Sequence, residues 1–595
     1  MLRSRWFVVV CAIWIQCCSG SAYTFGFYSQ SIKLRLNYDQ KHLDTLASFK
    51  DIGANVGILS GIIFQYMPPW AVLAVGALQS CFGYMMIWLS VIGSVPPPAF
   101  WQMCFYMLLA ANGQTYSNTA TVVTCVQNFP GSRGIVIGLM KGSVALSGPI
   151  LTQLYRTIYP SGPESFIFML MWLPTLMTFA WMFVLRPLPS VPKERNDTTN
   201  LHIMSAIALL LATYLMTTVV IQNTIEVSHV TSVITCSIGG LVLLLPIGVV
   251  YKSEREDDKD DAFLSEFSSS EPSLLKEPLL PTPSPALGLN SSFNIPKDPN
   301  ARDENSEADN TKCHSESESV GQVSEAADGG LPGGRTTPHM GEDHTFVEAV
   351  KKADFWLLWV STACGMGSGL TTIDNMGQIG ASQGYSPQSV GTFMSLLSIW
   401  NCLGRLGFGT ISEISLHRYR IPRPVFLAFT LATMSIGHLI FAMAVPGSLY
   451  AGSVLVGLSY GAQWSLMLAI TSEIFGLKRF ATLFNTIAIA SPVSSSFLLV
   501  QVAGRIYDYE AAKQKSGTQL IGHLKPVGIH RWLNSSDLLC HGAHCFRLTF
   551  IIMAAVSFCG CLISLILVSR TRKFYYQVVY ARLEKVIEKS RRDVA

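Results

Sequence analysis

About fourteen apolar stretches, each of roughly twenty residues, run along this 595-residue chain and constrain its fold more than any other feature. A stretch of that length is enough to cross the hydrocarbon core of a bilayer as an α-helix. Only 13% of the residues are charged, whereas a soluble domain carries roughly 25%, so a soluble multidomain enzyme is excluded. The sequence predicts an all-α polytopic membrane protein with about 14 transmembrane helices. The second and ninth stretches are the least apolar, so about 12 or 13 helices remain alternatives.

The apolar stretches fall into groups of six, two and six, with a charged segment before the last group. We predict a six-helix bundle at 1–186 and two inserted transmembrane helices at 187–251. A disordered acidic cytoplasmic loop follows at 252–344, then a second six-helix bundle at 345–572 and a basic cytoplasmic tail at 573–595. The stretches lie near 5–28, 44–66, 69–92, 100–127, 134–157, 165–185, 201–222, 230–251, 355–379, 387–411, 424–445, 449–472, 480–503 and 546–569.

Charge is distributed unevenly along the chain. Residues 252–343 hold 20 acidic and 8 basic residues, and the rest of the chain holds 18 acidic and 34 basic residues. A segment so rich in charge and so poor in aromatic residues cannot bury enough apolar area to fold, so it is predicted to be a tether. The other basic residues concentrate at the two ends of the chain and in alternate loops. The positive-inside rule then predicts that both termini are cytoplasmic. The plasma membrane or the vacuolar membrane is the expected location.

The two groups of six stretches resemble each other. Residues 38–57 and 385–404 match at a spacing of 347, with Gly57 opposite Gly404. Arg133 matches Arg479 at nearly the same spacing, each in a short basic loop. Two six-helix halves in the same orientation are typical of a facilitator-type transporter, in which the substrate path runs between the halves near the midplane.

Four segments carry a resemblance to a known family: Trp6–Ser31, Lys50–Gly61, Arg133–Gly148 and Asn401–Glu413. They resemble the major facilitator superfamily, and most closely the plant nodulin-like proteins of that superfamily. The resemblance implies a major-facilitator fold of two six-helix pseudo-repeats, here with two inserted helices. It also implies transport of a small solute without a cofactor, and it leaves the solute open.

A charge inside a membrane helix is costly and therefore a functional candidate. Lys141 lies about seven residues into the predicted fifth helix, where it could attract an organic anion or pair with a carboxylate. The alternative is a lysine that reaches the cytoplasmic interface. Asp374, toward the outer end of the predicted ninth helix, could take a proton in a coupled cycle, or it could be a solvated helix end.

Polar and aromatic side chains cluster at equivalent places in the two halves, in the predicted fourth and twelfth helices. Such groups can fix a small polar solute, and hydrogen bonding between helices is the alternative. The candidates are Asn112, Gln114 and Tyr116 in the first half, and Tyr460, Gln463 and Trp464 in the second.

Charged residues near the predicted cytoplasmic helix ends suggest an inner gate held by ion pairs. Its predicted members are Arg405, Glu413, Glu473 and Arg479, and structural pairing or contact with the substrate are the alternatives. Lys50 and Asp51 are adjacent in the predicted second helix, so they lie about 100° apart and are not expected to face one partner. An ion pair with the eleventh helix or with the outer rim is expected there.

The segment Cys540–Cys545 contains two cysteines and two histidines at short spacing. This spacing suits either a zinc site or a local disulfide on an oxidising side of the membrane.

The sequence contains no hydrolase elbow, phosphate-binding loop or HExxH segment, so we expect no enzyme and no metal in a catalytic role. The expected partners are the lipid bilayer, a small-molecule solute and, in one alternative, protons. No nucleic-acid partner is expected, and a monomer is favoured.

These features predict a secondary active or facilitative transporter that works by alternating access. An organic anion is the first expectation, because Lys141 is the deepest charge. A cation, a neutral metabolite, or a non-transporting receptor or sensor with the same fold are the alternatives.

Overall fold

The computed structural model describes residues 4–38, 40–159, 163–188, 197–224, 228–255, 338–385, 387–522 and 540–580. Within these ranges every regular element is helical, which confirms the all-α prediction. Most of the acidic loop and of the basic tail, at 256–337 and 581–595, lies outside the described residues, as do the predictions made for them.

The first half consists of helices α1 to α8, the inserted pair of α9 and α10, and the second half of α11 to α19. Helix α10 continues in further helical turns as far as Arg255. The helices are α1 (Arg5–Ser19), α2 (Phe25–Arg35), α3 (Gln40–Asn55), α4 (Ile58–Tyr66), α5 (Pro69–Ile92), α6 (Phe100–Asn128), α7 (Arg133–Ile158), α8 (Pro163–Trp181), α9 (Asp197–Thr224), α10 (His229–Leu244), α11 (Phe346–Val350), α12 (Ala353–Ser382), α13 (Pro387–Ile414), α14 (Arg423–Met443), α15 (Ser448–Ile474), α16 (Phe480–Ala488), α17 (Ala490–Phe497), α18 (Arg505–Gly522) and α19 (His544–Phe574).

Each of the predicted apolar stretches is largely helical, and ten helical spans among the described residues are long and apolar enough to cross a membrane. Four of the predicted stretches fall outside those ten, namely 5–28, 100–127, 355–379 and 387–411, which form α1 with α2, α6, α12 and α13. Helices α6 and α12 carry many buried Ser, Thr, Asn and Gln side chains, which lower their mean hydropathy. The protein is therefore an integral membrane protein, and the count of 14 spans stays a prediction.

A seam of glycines joins the two halves at the end of the molecule where Arg5 and Phe574 lie, which we call the terminal end. Helix α7 crosses α13 here so closely that a Cβ at Gly138 would lie 2.7 Å from the carbonyl oxygen of Arg405. A Cβ at Gly61 of α4 would lie 2.8 Å from the carbonyl oxygen of Ala481, at the start of α16. Backbones approach this closely only where side chains are absent, so the seam keeps the terminal end closed.

We expect that Gly138→Leu opens the terminal end, because the new side chain forces α7 and α13 apart. The measurement is labelling of Ser472→Cys, a buried position on this end, by a membrane-impermeant thiol reagent. Labelling should rise several-fold in the Gly138→Leu background. Gly407→Leu is the matched control, since a Cβ at Gly407 meets no atom within 4 Å. Unchanged labelling with Gly138→Leu would show that the seam does not hold the closed state.

The inserted helix α9 packs against α7 of the first half and α13 of the second. Polar contacts attach it to the first half: Arg5 of α1 forms an ion pair with Asp197, and Gln153 of α7 exchanges hydrogen bonds of 2.8 and 3.0 Å with Gln222. The inserted pair is thus attached to the first half by polar contacts, and α9 also packs against α13 of the second half.

Residues just before α11 are attached to the loop between α15 and α16. Asp343 accepts hydrogen bonds of 2.9 Å from the backbone N–H groups of Leu477 and Lys478. The neighbouring His344 is buried, and this burial lowers the pKa of its ring. Residues 338–344, which the sequence assigns to the acidic loop, therefore pack against the second half.

Candidate functional site

A cavity of about 460 Å³ lies between the two halves. Both halves line it, mainly through α3, α6 and α7 on one side and α12, α13, α15 and α16 on the other. We call the end of the molecule opposite the terminal end the far end. The cavity lining reaches Leu43 and Gln378, which lie near the helix ends on that side. A cavity between two helical halves, closed at one end, is the geometry that alternating access requires.

Lys141 lies in the deep part of this cavity and is only 4% exposed. Its Nζ lies 3.4 Å from Oδ1 of Asn118, which also accepts a 3.1 Å hydrogen bond from Nε2 of Gln16. The Nζ also lies 4.7 Å from the ring centroid of Trp464, within cation–π range. Among the described residues no carboxylate forms an ion pair with Lys141, so its charge faces dipoles and the rings of Trp464 and Phe484.

Arg405 forms a second cation in the cavity lining and is 1% exposed. Its Nε donates to Oδ1 of Asn401 at 2.8 Å, and its Nη1 donates to the carbonyl oxygen of Lys141 at 2.9 Å. The guanidinium carbon lies 5.6 Å from the ring centroid of Trp464. Lys141 from the first half and Arg405 from the second therefore flank one aromatic ring and give the deep part of the cavity positive charge.

Toward the far end, three charged residues form a cluster that we call the Lys50 triad: Lys50, Asp51 and Asp374. The Nζ of Lys50 lies 2.9 Å from Oδ1 of Asp51 and 3.8 Å from Oδ1 of Asp374. Lys50 and Asp51 pair with each other, because the long lysine side chain bends back to its neighbour, and Lys50 also reaches Asp374. This contact with the second half is made to α12, whereas the sequence suggested the eleventh helix or the outer rim.

Five of the eight predicted solute-binding residues line the cavity, and they come from both halves. The five residues that line the cavity are Lys141, Gln114, Asp374, Tyr460 and Trp464. Among them Gln114, on α6, has an Oε1 atom without a hydrogen-bond partner among the described residues.

The other three predicted solute-binding residues lie outside the cavity lining. Asn112 donates to the carbonyl oxygens of Gly53 and Val56 at 2.8 and 2.9 Å, so it ties α6 to α3. Tyr116 is buried against Gly76 of α5, and Gln463 is buried against Gly365 of α12. These three residues therefore hydrogen-bond or pack between helices, which is the alternative to binding the solute.

Only part of the predicted gate group lies together at the terminal end. Glu413 and Glu473 both bind Arg423, at 2.7 and 2.5 Å, and Glu413 also accepts a 2.6 Å hydrogen bond from the backbone N–H of Gly134 in the first half. Arg405 lies in the cavity instead, and Arg479 is exposed at the start of α16. The cation that joins the two glutamates, Arg423, was not among the predicted gate residues.

Cys540 and Cys545 form a disulfide, which is one of the two alternatives that their spacing allows. Both thiols are then used, so they are not available as zinc ligands.

The sequence comparisons match both halves of the chain. A family model described as Nodulin-like matches residues 5–251, and one described as NFD4, C-terminal domain, matches residues 342–577. Protein NUCLEAR FUSION DEFECTIVE 4 of Arabidopsis thaliana is 25% identical over 587 residues, which cover 96% of this chain and 90% of the relative. Probable transporter MCH1 of Gibberella zeae is 28% identical over 214 residues, which cover 31% of this chain and 35% of that relative.

The structural comparisons agree on the fold. The proton:xylose symporter XylE, of the major facilitator superfamily, superimposes with a TM-score of 0.50 at 10% identity, covering 94% of this chain and 95% of the symporter. A double-tryptophan variant of XylE gives a TM-score of 0.51 with the same coverage. At this identity the likeness shows the major-facilitator fold and nothing about the solute.

Proposed function

The chain is a nodulin-like member of the major facilitator superfamily, a superfamily of membrane transporters, and from that premise we propose that it carries an organic anion by alternating access. The anion would bind in the central cavity, near Lys141 and Arg405. Coupling to protons belongs to the same proposal, and the carboxylates of the cavity are the groups that could bind them.

The observation that carries the proposal is the pair of buried cations in the deep part of the cavity. Lys141 and Arg405 are almost fully shielded from solvent. Burying a cation without a counter-ion costs several kcal/mol, so a site that keeps an uncompensated lysine has a use for its charge. An anionic ligand would supply the missing negative charge.

The remaining lining suits the organic part of such a ligand. Trp464, Tyr460 and Phe484 provide aromatic surface next to the two cations. Gln114 and Asn118 provide amide groups on the opposite wall. A small number of polar groups on an otherwise apolar wall fixes the orientation of a ligand, and a volume of about 460 Å³ accommodates a small metabolite.

A cation is disfavoured as the solute because of where the carboxylates lie. Asp51 and Asp374 are the two carboxylates of the lining, and both are near the ammonium group of Lys50. The deep part of the cavity, by contrast, carries two positive charges, which repel a cation.

The test is uptake by proteoliposomes that contain the purified full chain. The solutes are three carboxylates (lactate, benzoate and succinate), one neutral sugar (glucose) and one cation (choline). We expect saturable uptake of at least one carboxylate and background uptake of glucose and choline. Uptake restricted to glucose or choline contradicts the proposal. Binding of a carboxylate without flux of any solute favours the receptor alternative.

A further inference from the structure

Two polar atoms in the wall of the central cavity have no hydrogen-bond partner among the described residues. One is Oε1 of Gln114, on α6 of the first half, and the other is Nε1 of Trp464, on α15 of the second. Both side chains line the cavity, and they are only 8% and 6% exposed. A buried polar atom without a partner is costly, so two of them in one cavity wall point to a ligand that supplies the missing contacts.

The polar side chains beside Gln114 already form hydrogen bonds within the protein. Oδ1 of Asn118 accepts from Gln16 at 3.1 Å and lies 3.4 Å from Nζ of Lys141, so both of its lone pairs are used. Oγ1 of Thr115 donates to the carbonyl oxygen of Asn112 at 2.9 Å. The missing partner of Gln114 is therefore not provided by these neighbours.

Gln114 and Trp464 face the same deep part of the cavity. Gln114 precedes Asn118 by one helical turn and shares its face of α6. Because Nζ of Lys141 lies close to both Asn118 and Trp464, Oδ1 of Asn118 and the centroid of the indole ring are at most about 8 Å apart. A gap of this width accommodates one small ligand group next to Lys141.

The two atoms need different partners. Oε1 of Gln114 only accepts a hydrogen bond, and the indole N–H of Trp464 only donates one. A hydroxyl group satisfies both atoms at once, because it donates one hydrogen bond and accepts another. A ketone oxygen cannot donate to Oε1, and a methylene group forms neither bond. An ammonium group cannot accept from the indole, and the nearby charge of Lys141 repels it.

We propose that the transported anion is a hydroxycarboxylate, whose hydroxyl group bridges Oε1 of Gln114 in the first half and Nε1 of Trp464 in the second. Its carboxylate pairs with Lys141, so this inference rests on the proposed function and names the class of anion. A glutamine side chain has three rotatable torsions, so the amide of Gln114 reaches the ligand without a movement of α6.

The test is binding to the purified full chain, measured by calorimetry, of carboxylates that differ in one hydroxyl group. The pairs are lactate and propionate, mandelate and phenylacetate, and malate and succinate. Pyruvate and alanine complete the first pair, because they carry a ketone oxygen and an ammonium group where lactate carries its hydroxyl.

We expect the hydroxyl-bearing member of at least one pair to bind about tenfold or more tightly than the other member, because a site built for a hydroxyl group rejects an analogue that leaves its polar atoms unpaired. If lactate binds, pyruvate and alanine should bind no more tightly than propionate. In Gln114→Met and in Trp464→Phe the preference should fall to about threefold or less, since each change removes one of the two hydrogen-bond partners.

Gln127→Met and Trp400→Phe are the matched controls and should keep the preference. Gln127 is exposed near the end of the same helix, α6. Nε1 of Trp400 also has no partner within the described part of the chain, but Trp400 lies outside the cavity lining. Affinity for the hydroxyl-free member should be nearly the same in the wild type and in all four variants, which separates lost selectivity from a damaged fold.

The outcomes distinguish this inference from the proposed function. Carboxylates that bind equally well with and without a hydroxyl group overturn the inference alone, and they assign the two polar atoms to a bound water molecule. A preference that survives both Gln114→Met and Trp464→Phe also overturns it. Absence of binding of every carboxylate overturns the proposed function.

Discussion

Lys141→Ala is expected to lower carboxylate uptake by roughly 30- to 150-fold. A charge-assisted contact between an ammonium group and a carboxylate in a buried site contributes about 2–3 kcal/mol, and each 1.4 kcal/mol is tenfold in affinity. The measurement is the initial rate of uptake into proteoliposomes at a carboxylate concentration below saturation. Lys141→Arg keeps the charge and should retain part of the activity.

Stability separates a lost binding group from a damaged fold in this experiment. Lys141 has no ion pair among the described residues, so removing its buried charge should leave the thermal unfolding midpoint in detergent unchanged or raise it. Lys478→Ala is the control, because Lys478 is exposed in the loop before α16. Full carboxylate uptake by Lys141→Ala would remove Lys141 from the site.

Arg423→Ala is expected to lower the free energy of unfolding by about 3–5 kcal/mol. Arg423 is 1% exposed and is the common partner of Glu413 and Glu473. Its loss removes the guanidinium that the two buried carboxylates share, and one of them also holds the backbone of Gly134 in the other half. The measurement is the thermal unfolding midpoint of the purified full chain in detergent.

Arg35→Ala is the matched control for that prediction. Arg35 also forms an ion pair, with Glu164, but its side chain is 60% exposed. Exposed pairs contribute about 0–1 kcal/mol, so the midpoint should hardly change. Equal midpoints for wild type and Arg423→Ala would show that the cluster at the terminal end does not stabilise the fold.

The helices and the two-half arrangement could be predicted because they depend on local apolar length and on the repeat. Which face of each helix turns toward the cavity could not be predicted from one sequence. In α6, Asn112 and Tyr116 are four residues apart and share one face, while Gln114 and Asn118 share another. Both faces are polar, and only the position of the neighbouring helices decides which of them lines the cavity.

The depth of a charge in the membrane was predictable only where the helix end was clear. Lys141 follows a basic loop closely, so its depth could be counted from Arg133. Arg405 was assigned to a gate near the helix end, but it lies nine residues, or about 13 Å along the helix axis, before the end of α13 at Ile414. That depth places Arg405 in the cavity, whereas Glu413 lies at the end of the helix.

The most direct test of the central claim is whether the cavity selects for negative charge. Binding of three carboxylates and their uncharged amides, namely lactate and lactamide, benzoate and benzamide, and succinate and succinamide, can be measured by calorimetry on the purified full chain. Our account predicts that at least one carboxylate binds about tenfold or more tightly than its amide, and that Lys141→Ala removes the difference. Amides that bind as tightly as their carboxylates, or a preference that survives Lys141→Ala, would contradict it.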